Sequence, residues 1–208
     1  MFEDVPSLSV LNFFSMKMDC HYSKDDVLQR KHLLIDSSAY LVEERFANVY
    51  MGWNEEKLIF NIHVNIPFTK VVFPNFKRGD SVELFIDTRN LKEKNVITKF
   101  CHYFLFFPQK IDDKWGRELT RFRSGDMHPI VDFSEIEVDV LLDRKSYFMK
   151  IIIPQNCLFG FDPKNFLELG FTYRINRFEA MAQDFSCSSD EYNVEKHPDL
   201  WASFVLKR

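Results

Sequence analysis

The amino-acid sequence predicts an all-β fold, an antiparallel β-sandwich, and three observations carry that expectation. Several short segments alternate apolar and polar residues with a period of two. No long segment carries a helical period. The 208 residues include 23 Phe and only 6 Gly, an aromatic enrichment that suits strands and large cores. Hydrophobic residues make up 46% of the chain, which supports one domain spanning residues 1–208.

Taken in chain order, residues 1–44 read as N-terminal strands and loops. MGWNEE places Trp53 at the head of a strand. In KLIFNIHVNI, Leu58, Phe60, Ile62 and Val64 face one side and Ile59, Asn61, His63 and Asn65 the other. RGDSVELFIDTRN enters through a glycine turn and sets Val82, Leu84 and Ile86 against Glu83, Phe85 and Asp87. KFCHYFLFFP is apolar on both faces, as a central strand requires. EIEVDVLLD and SYFMKIIIP flank the turn residues Asp143, Arg144 and Lys145 and form a hairpin. FLELGFTYRIN opposes Leu167, Leu169, Phe171, Tyr173 and Ile175 to Glu168, Thr172, Arg174 and Asn176. WASFVLKR is a last strand, begun by Trp201, with large apolar groups on both faces. The connections at 66–79, 108–130 and 178–199 are long for hairpins, and long loops on a rigid scaffold are where binding concentrates.

Composition excludes several function classes. The formal charge is −4 and Lys and Arg are scattered, so there is no nucleic-acid footprint. No stretch approaches the ~18 apolar residues of a membrane-spanning helix. The segment MFEDVPSLSVLNFFSMKMDC carries Glu3 and Asp4 where an export signal has positive charge. Cys20, Cys101, Cys157 and Cys187 make no CxxC or metal spacing and read as thiols of a reducing cytoplasm.

The chemistry-bearing residues give no catalytic motif. Glu83 and Asp87 stand about 13 Å apart along a strand, beyond the roughly 5–9.5 Å of a glycosidase pair. Glu135, Glu137 and Asp139 read as a solvated strand face. The six histidines form neither HExxH nor HxH, and GxSxG, Walker and dinucleotide glycine patterns are absent. No metal or cofactor is expected. Arg78-Gly79-Asp80 reads as a turn into a strand rather than an adhesion signal. Trp115, in the polar segment IDDKWGRE, is a candidate for stacking a ligand.

The order MGWNEEKLIFNIHV, GDSVELFIDTRN, SYFMKIIIP, LELGFTYRIN, HPDLWASFVL resembles family 9 carbohydrate-binding modules and the wider DOMON-like β-sandwiches, over about residues 45–208. The ending also resembles stand-alone bacterial relatives of this fold. The resemblance implies a jelly-roll or immunoglobulin-like sandwich. Sugar-binding members clamp a sugar between two tryptophans over polar groups of a sheet face. Glu83 matches a ligand-binding glutamate, Arg174 replaces a glutamine, and Asn176 matches an asparagine. The first clamp position falls at about Lys77, beside Phe76, and the second near Val194 or Glu195; neither is Trp. A family arginine corresponds to about Cys101 or His102. Trp53 and Trp201 match structural positions.

The resulting ligand-site candidates are Glu83, Arg174, Asn176, His102, Phe76 and Trp115. Three functions compete. The first is a non-catalytic domain binding a glycan or another small polar ligand. The second is a protein-interaction or scaffold domain that has lost sugar binding. The third is a metal-assisted hydrolase built on His63, His102 and Glu83.

Overall fold

The period-two segments become strands whose pairing follows their patterns. The chain is described by a computed structural model that covers residues 16–37, 44–92, 96–120, 127–188 and 192–208. Residues 1–15 of the N-terminal stretch read for export, and parts of the segments 108–130 and 178–199, lie outside these residues. Eleven strands form: β1 (Lys17–Tyr22), β2 (Ala47–Trp53), β3 (Lys57–Val64), β4 (Ser81–Asp87), β5 (Cys101–Ile111), β6 (Lys114–Glu118), β7 (Glu137–Leu142), β8 (Tyr147–Pro154), β9 (Glu168–Arg177), β10 (Ala180–Asp184) and β11 (Ala202–Lys207). Their order is β6-β5-β4-β9-β11-β1-β2-β3-β8-β7, with β10 on β9. No helix of the described residues is long and apolar enough to cross a membrane.

The path folds on itself at β1. The half-sheet β6-β5-β4-β9-β11 packs over the half-sheet β2-β3-β8-β7, and β1 joins them. Its pairings with β11 and β2 are parallel, while every other strand pairing among the described residues is antiparallel. The core between the halves takes the apolar face of each strand: Val82, Leu84 and Ile86 from β4, Phe104 and Phe106 from β5, Leu58, Phe60 and Ile62 from β3, Met149, Ile151 and Ile153 from β8. Phe60 stacks on Phe171 across the gap at 5.4 Å. Gln183 ties the halves polar-to-polar: its Oε1 accepts the Phe46 and Ala47 amides at 2.9 and 2.8 Å, and its Nε2 donates to the Ala47 carbonyl and to the Tyr173 hydroxyl.

Two of the expected loops contain strands. β6 folds back on β5 through Asp112 and Asp113, whose φ values of 50° and 59° make the two-residue turn that matches strand twist. β10 lies within 178–199 and pairs with β9. KWGRE and AMAQD are too short and polar for alternation to reveal them; their partners impose the extended form. The Trp positions also shift. Trp53 ends β2 instead of heading a strand, its Nε1 donating to the Cys20 carbonyl at 2.9 Å. Trp201 precedes β11, as the C-cap of a 3-10 turn over Pro198–Leu200.

Trp201 is fully buried in a second apolar cluster outside the sheet, with Phe85, Tyr103, Cys187 and Val194. Its ring lies 5.7 Å from Phe85, and its Nε1 donates to the Val194 carbonyl at 2.8 Å. Trp201→Ala removes this packing and leaves that carbonyl without its donor. The expected cost is about 3–5 kcal/mol, or a melting point lower by roughly 10 °C for a chain of this size. Thermal unfolding followed by circular dichroism checks this, and a variant melting with the parent chain would place Trp201 outside the stabilising core.

Candidate functional site

Strand alternation that buries Val82, Leu84 and Ile86 turns Glu83, Phe85 and Asp87 to the outer face of β4. On neighbouring β9 it turns out Thr172, Arg174 and Asn176. The register sets Glu83 opposite Arg174 and Ser81 opposite Asn176. Cross-strand partners of this kind have side chains within direct reach.

The three outward groups form one network. Arg174 Nη1 donates to both Glu83 oxygens at 3.2 and 3.3 Å, and Arg174 Nε donates to Asp184 Oδ1 at 3.3 Å. Asn176 Nδ2 donates to Glu83 Oε1 at 2.7 Å and to Ser81 Oγ at 3.0 Å. The Tyr103 hydroxyl, from β5, donates to Glu83 Oε2. Glu195 adds a carboxylate 3.6 Å from Arg174 Nη1 and pairs with Lys77 Nζ. Glu83 is 0% exposed and Arg174 4%. Burial works against the Arg174 charge, but Glu83 and Asp184 outweigh it and hold the guanidinium above its ordinary range. Burial and then the Glu83 charge push the Tyr103 phenol far up, so it stays a donor.

Phe85 and Asp87 do other work on the same face. Phe85 stacks on Tyr103 at 4.3 Å inside the second cluster. Asp87 accepts the Arg89 and Leu91 amides at 2.9 and 2.7 Å and closes the turn after β4; burial raises its carboxyl above the ordinary range.

A cleft of about 460 Å³ opens beside the network, lined by Lys77 and Arg78, by Arg174 and Asn176 of β9, and by residues 179–182. Asp80 ties together segments beside the cleft. Its Oδ2 accepts the Thr69 and Lys70 amides at 2.6 and 2.8 Å, and its Oδ1 accepts the Phe178 amide at 3.1 Å. At 2% exposure Asp80 is a structural anchor of the Arg78-Gly79-Asp80 turn.

Solved structures share this architecture. A family 9 carbohydrate-binding module from Caldicellulosiruptor kristjanssonii in complex with cellotriose matches at a TM-score of 0.62 and 16% identity, over 92% of this chain and 93% of that one. The fold is family 9-like. The same module in complex with glucose gives a TM-score of 0.62 and 16% identity over 92% of this chain and 95% of that one. A Bacteroides uniformis protein matches at 0.52 and 6% identity over 92% of this chain and 98% of that one. No protein-family model and no curated protein matches the chain.

Within this family 9-like fold, the six candidates separate. Glu83, Arg174 and Asn176 converge. Phe76 does not present a ring: it is 4% exposed and packs on Leu105 and Phe107, because the 3-10 turn Phe76–Arg78 directs it inward and leaves Lys77 at the cleft. Trp115 lies in a different cleft, with Asp132 and Phe133, under the Lys110 ammonium at 5.2 Å. His102 faces the core side of β5, opposite to Tyr103, and joins Glu118 and His128. His63 is exposed on β3 between Tyr50 and Phe148, so His63, His102 and Glu83 share no site. Sequence reasoning missed Tyr103 and Asp184. Asp184 sits opposite Arg174 only through β10, which no pattern revealed.

Both Glu83 oxygens already accept hydrogen bonds, so the carboxylate is fixed in place. Arg174→Met strands Glu83 and Asp184 as buried charges, an expected loss of about 3–5 kcal/mol. Arg78→Met, on the exposed rim, should move stability by less than about 0.5 kcal/mol. Urea unfolding of both variants checks the contrast, and equal midpoints would show that the network carries no stability.

Proposed function

We propose that the chain is a non-catalytic binding domain whose cleft takes a small polar ligand, such as a single sugar residue, by hydrogen bonding and without ring stacking. The observation that carries this reading is the placement of Arg174 and Asn176, held rigid by Glu83, at the wall of an open cleft. Asn176, whose amide N–H groups are held by Glu83 and Ser81, offers its oxygen as a fixed acceptor, and polar groups whose rotamers are fixed by neighbours lose little entropy on binding. Lys77 and Arg78 add cationic donors at the rim, suited to hydroxyl or carboxylate oxygens.

The ion pair between Lys77 and Glu195 stands where the family 9 resemblance assigns the stacking rings. Ring contact supplies on the order of 1 kcal/mol or more per face. Without it, extended β-linked chains gain nothing from crossing the cleft. A second reading, a protein-interaction domain, draws support from the opposite half-sheet. There Tyr50, His63, Phe148 and Leu141 form an aromatic and aliphatic row on the outer face of β2, β3, β8 and β7.

Titration calorimetry against neutral and acidic monosaccharides and cellotriose tests the first reading. Expected is binding of a monosaccharide class that is lost in Asn176→Ala, with cellotriose binding weaker than about millimolar. Sub-millimolar cellotriose binding would overturn the absence of stacking. Silence across the panel would favour the second reading.

A further inference from the structure

We propose that His102, Glu118 and His128 form a closed site for one divalent first-row transition ion, zinc by its donor set. The three residues come from β5, from the end of β6 and from the segment before β7. Their ligand atoms lie within 4.8 Å of one another. The site is independent of the cleft, on the other face of the sheet.

Hydrogen-bond chemistry leads to the cation. His128 Nδ1 lies 2.6 Å from the Lys99 carbonyl oxygen, which only accepts, so Nδ1 carries the proton. In the neutral imidazole Nε2 then holds a lone pair, and it faces Glu118 Oε1 at 2.7 Å. His102 repeats the pattern: Nε2 points at the Phe159 carbonyl at 3.5 Å and Nδ1 at the same Glu118 Oε1 at 3.0 Å. Two imidazole lone pairs aimed at one carboxylate need positive charge among them. Protons would supply it, either two or one with His102 in its Nδ1–H tautomer, but at the cost of at least one charged ring in a dry site, since the three side chains are 0–1% exposed. A metal ion supplies the charge while both rings stay neutral.

The surroundings are those of metal ligands. Each histidine turns its other ring nitrogen to a backbone carbonyl, the outer contact that fixes the tautomer of a ligating imidazole. Glu118 Oε2 is held by the Val131 amide at 3.1 Å. Tetrahedral bonds of about 2.0–2.1 Å put ligand atoms roughly 3.3 Å apart, so the carboxylate need retreat only by a few tenths of an ångström. Two nitrogens and one carboxylate suit zinc and disfavour calcium or magnesium, which take oxygen sets. Three protein ligands leave the fourth tetrahedral position to a water, and the buried ion would clip the β5–β6 hairpin to the segment before β7.

The test strips the intact chain with a chelator, adds zinc, desalts and measures bound metal and melting temperature. About one zinc per chain is expected, with a rise of roughly 5–10 °C at a hundredfold excess over Kd. Glu118→Gln and His128→Gln should lose the metal and the rise, while His63→Ala keeps both. A cobalt(II) titration of the unmutated chain needs no variant, and strong visible bands saturating near one equivalent are expected. Failure of the unmutated chain to retain zinc would overturn the proposal and leave a proton-held cluster. Undiminished retention in a folded His128→Gln variant would overturn it equally, by placing the metal elsewhere.

Discussion

The outer face of the β4–β9 pair is organised by one buried charge pair, Glu83 with Arg174. A guanidinium and a carboxylate taken out of water are costly unless each remaining donor and acceptor finds a partner. The chain meets that demand from many directions. Asn176 and Ser81 come from the paired strands, Tyr103 from β5, Asp184 from β10, and Glu195 from the segment that covers the face. Each partner pins the element that carries it. The short strand β10, with little apolar pattern of its own, is held where Asp184 can meet Arg174. The same constraint gives the cleft its rigid wall.

That constraint also decides how a family 9-like face can be reused. A stacking clamp needs two exposed rings with a gap between them, and its polar floor must be open to a ligand. Here the positions assigned to the rings hold Lys77 and Glu195, whose pair continues the charge network instead of flanking a gap. The aromatic groups of this face point inward: Phe76 packs beneath the turn, and Phe85 stacks on Tyr103 beside Trp201. Ring area there serves the fold, and the face is polar, with Glu83, Asp184 and Glu195 set against Arg174 and Lys77.

The sandwich was legible because half-buried strands print their burial into the sequence with period two. β3, β4, β7 and β9 each showed it. The outward turn of Glu83, Arg174 and Asn176 followed from the same parity. Contacts between strands are another matter, because alternation fixes a residue's face and says nothing of its neighbours. Asp184 was invisible for that reason, as was the meeting of His102 with Glu118 and His128, whose separations of 16 and 10 residues match no ligand motif. Phe76 turned inward because an aromatic residue in a polar loop can pack beneath its own turn, whereas Trp115 lines a cleft of its own, away from Glu83. β1 carries no strong pattern, and its parallel pairing to both half-sheets is set by the closure of the sandwich.

β5 shows how parity keeps two polar systems apart. His102 and Tyr103 are adjacent in sequence, in a strand whose other residues up to Phe107 are buried and apolar. Successive side chains leave opposite faces, so Tyr103 serves the charge network outside and His102 the histidine–glutamate cluster within. Between them stand Phe85 and Trp201 on one side and Phe104 on the other, which keep water from joining the two. A buried polar group in a central strand is tolerable only if its own face seals it. Phe85 of β4 with Trp201 and Val194 supplies the outer seal, and Phe104 with Phe159 the inner one. The two polar systems are therefore separate commitments of one strand: a change that empties one leaves the hydrogen bonds of the other intact, and they communicate only through the position of β5 itself.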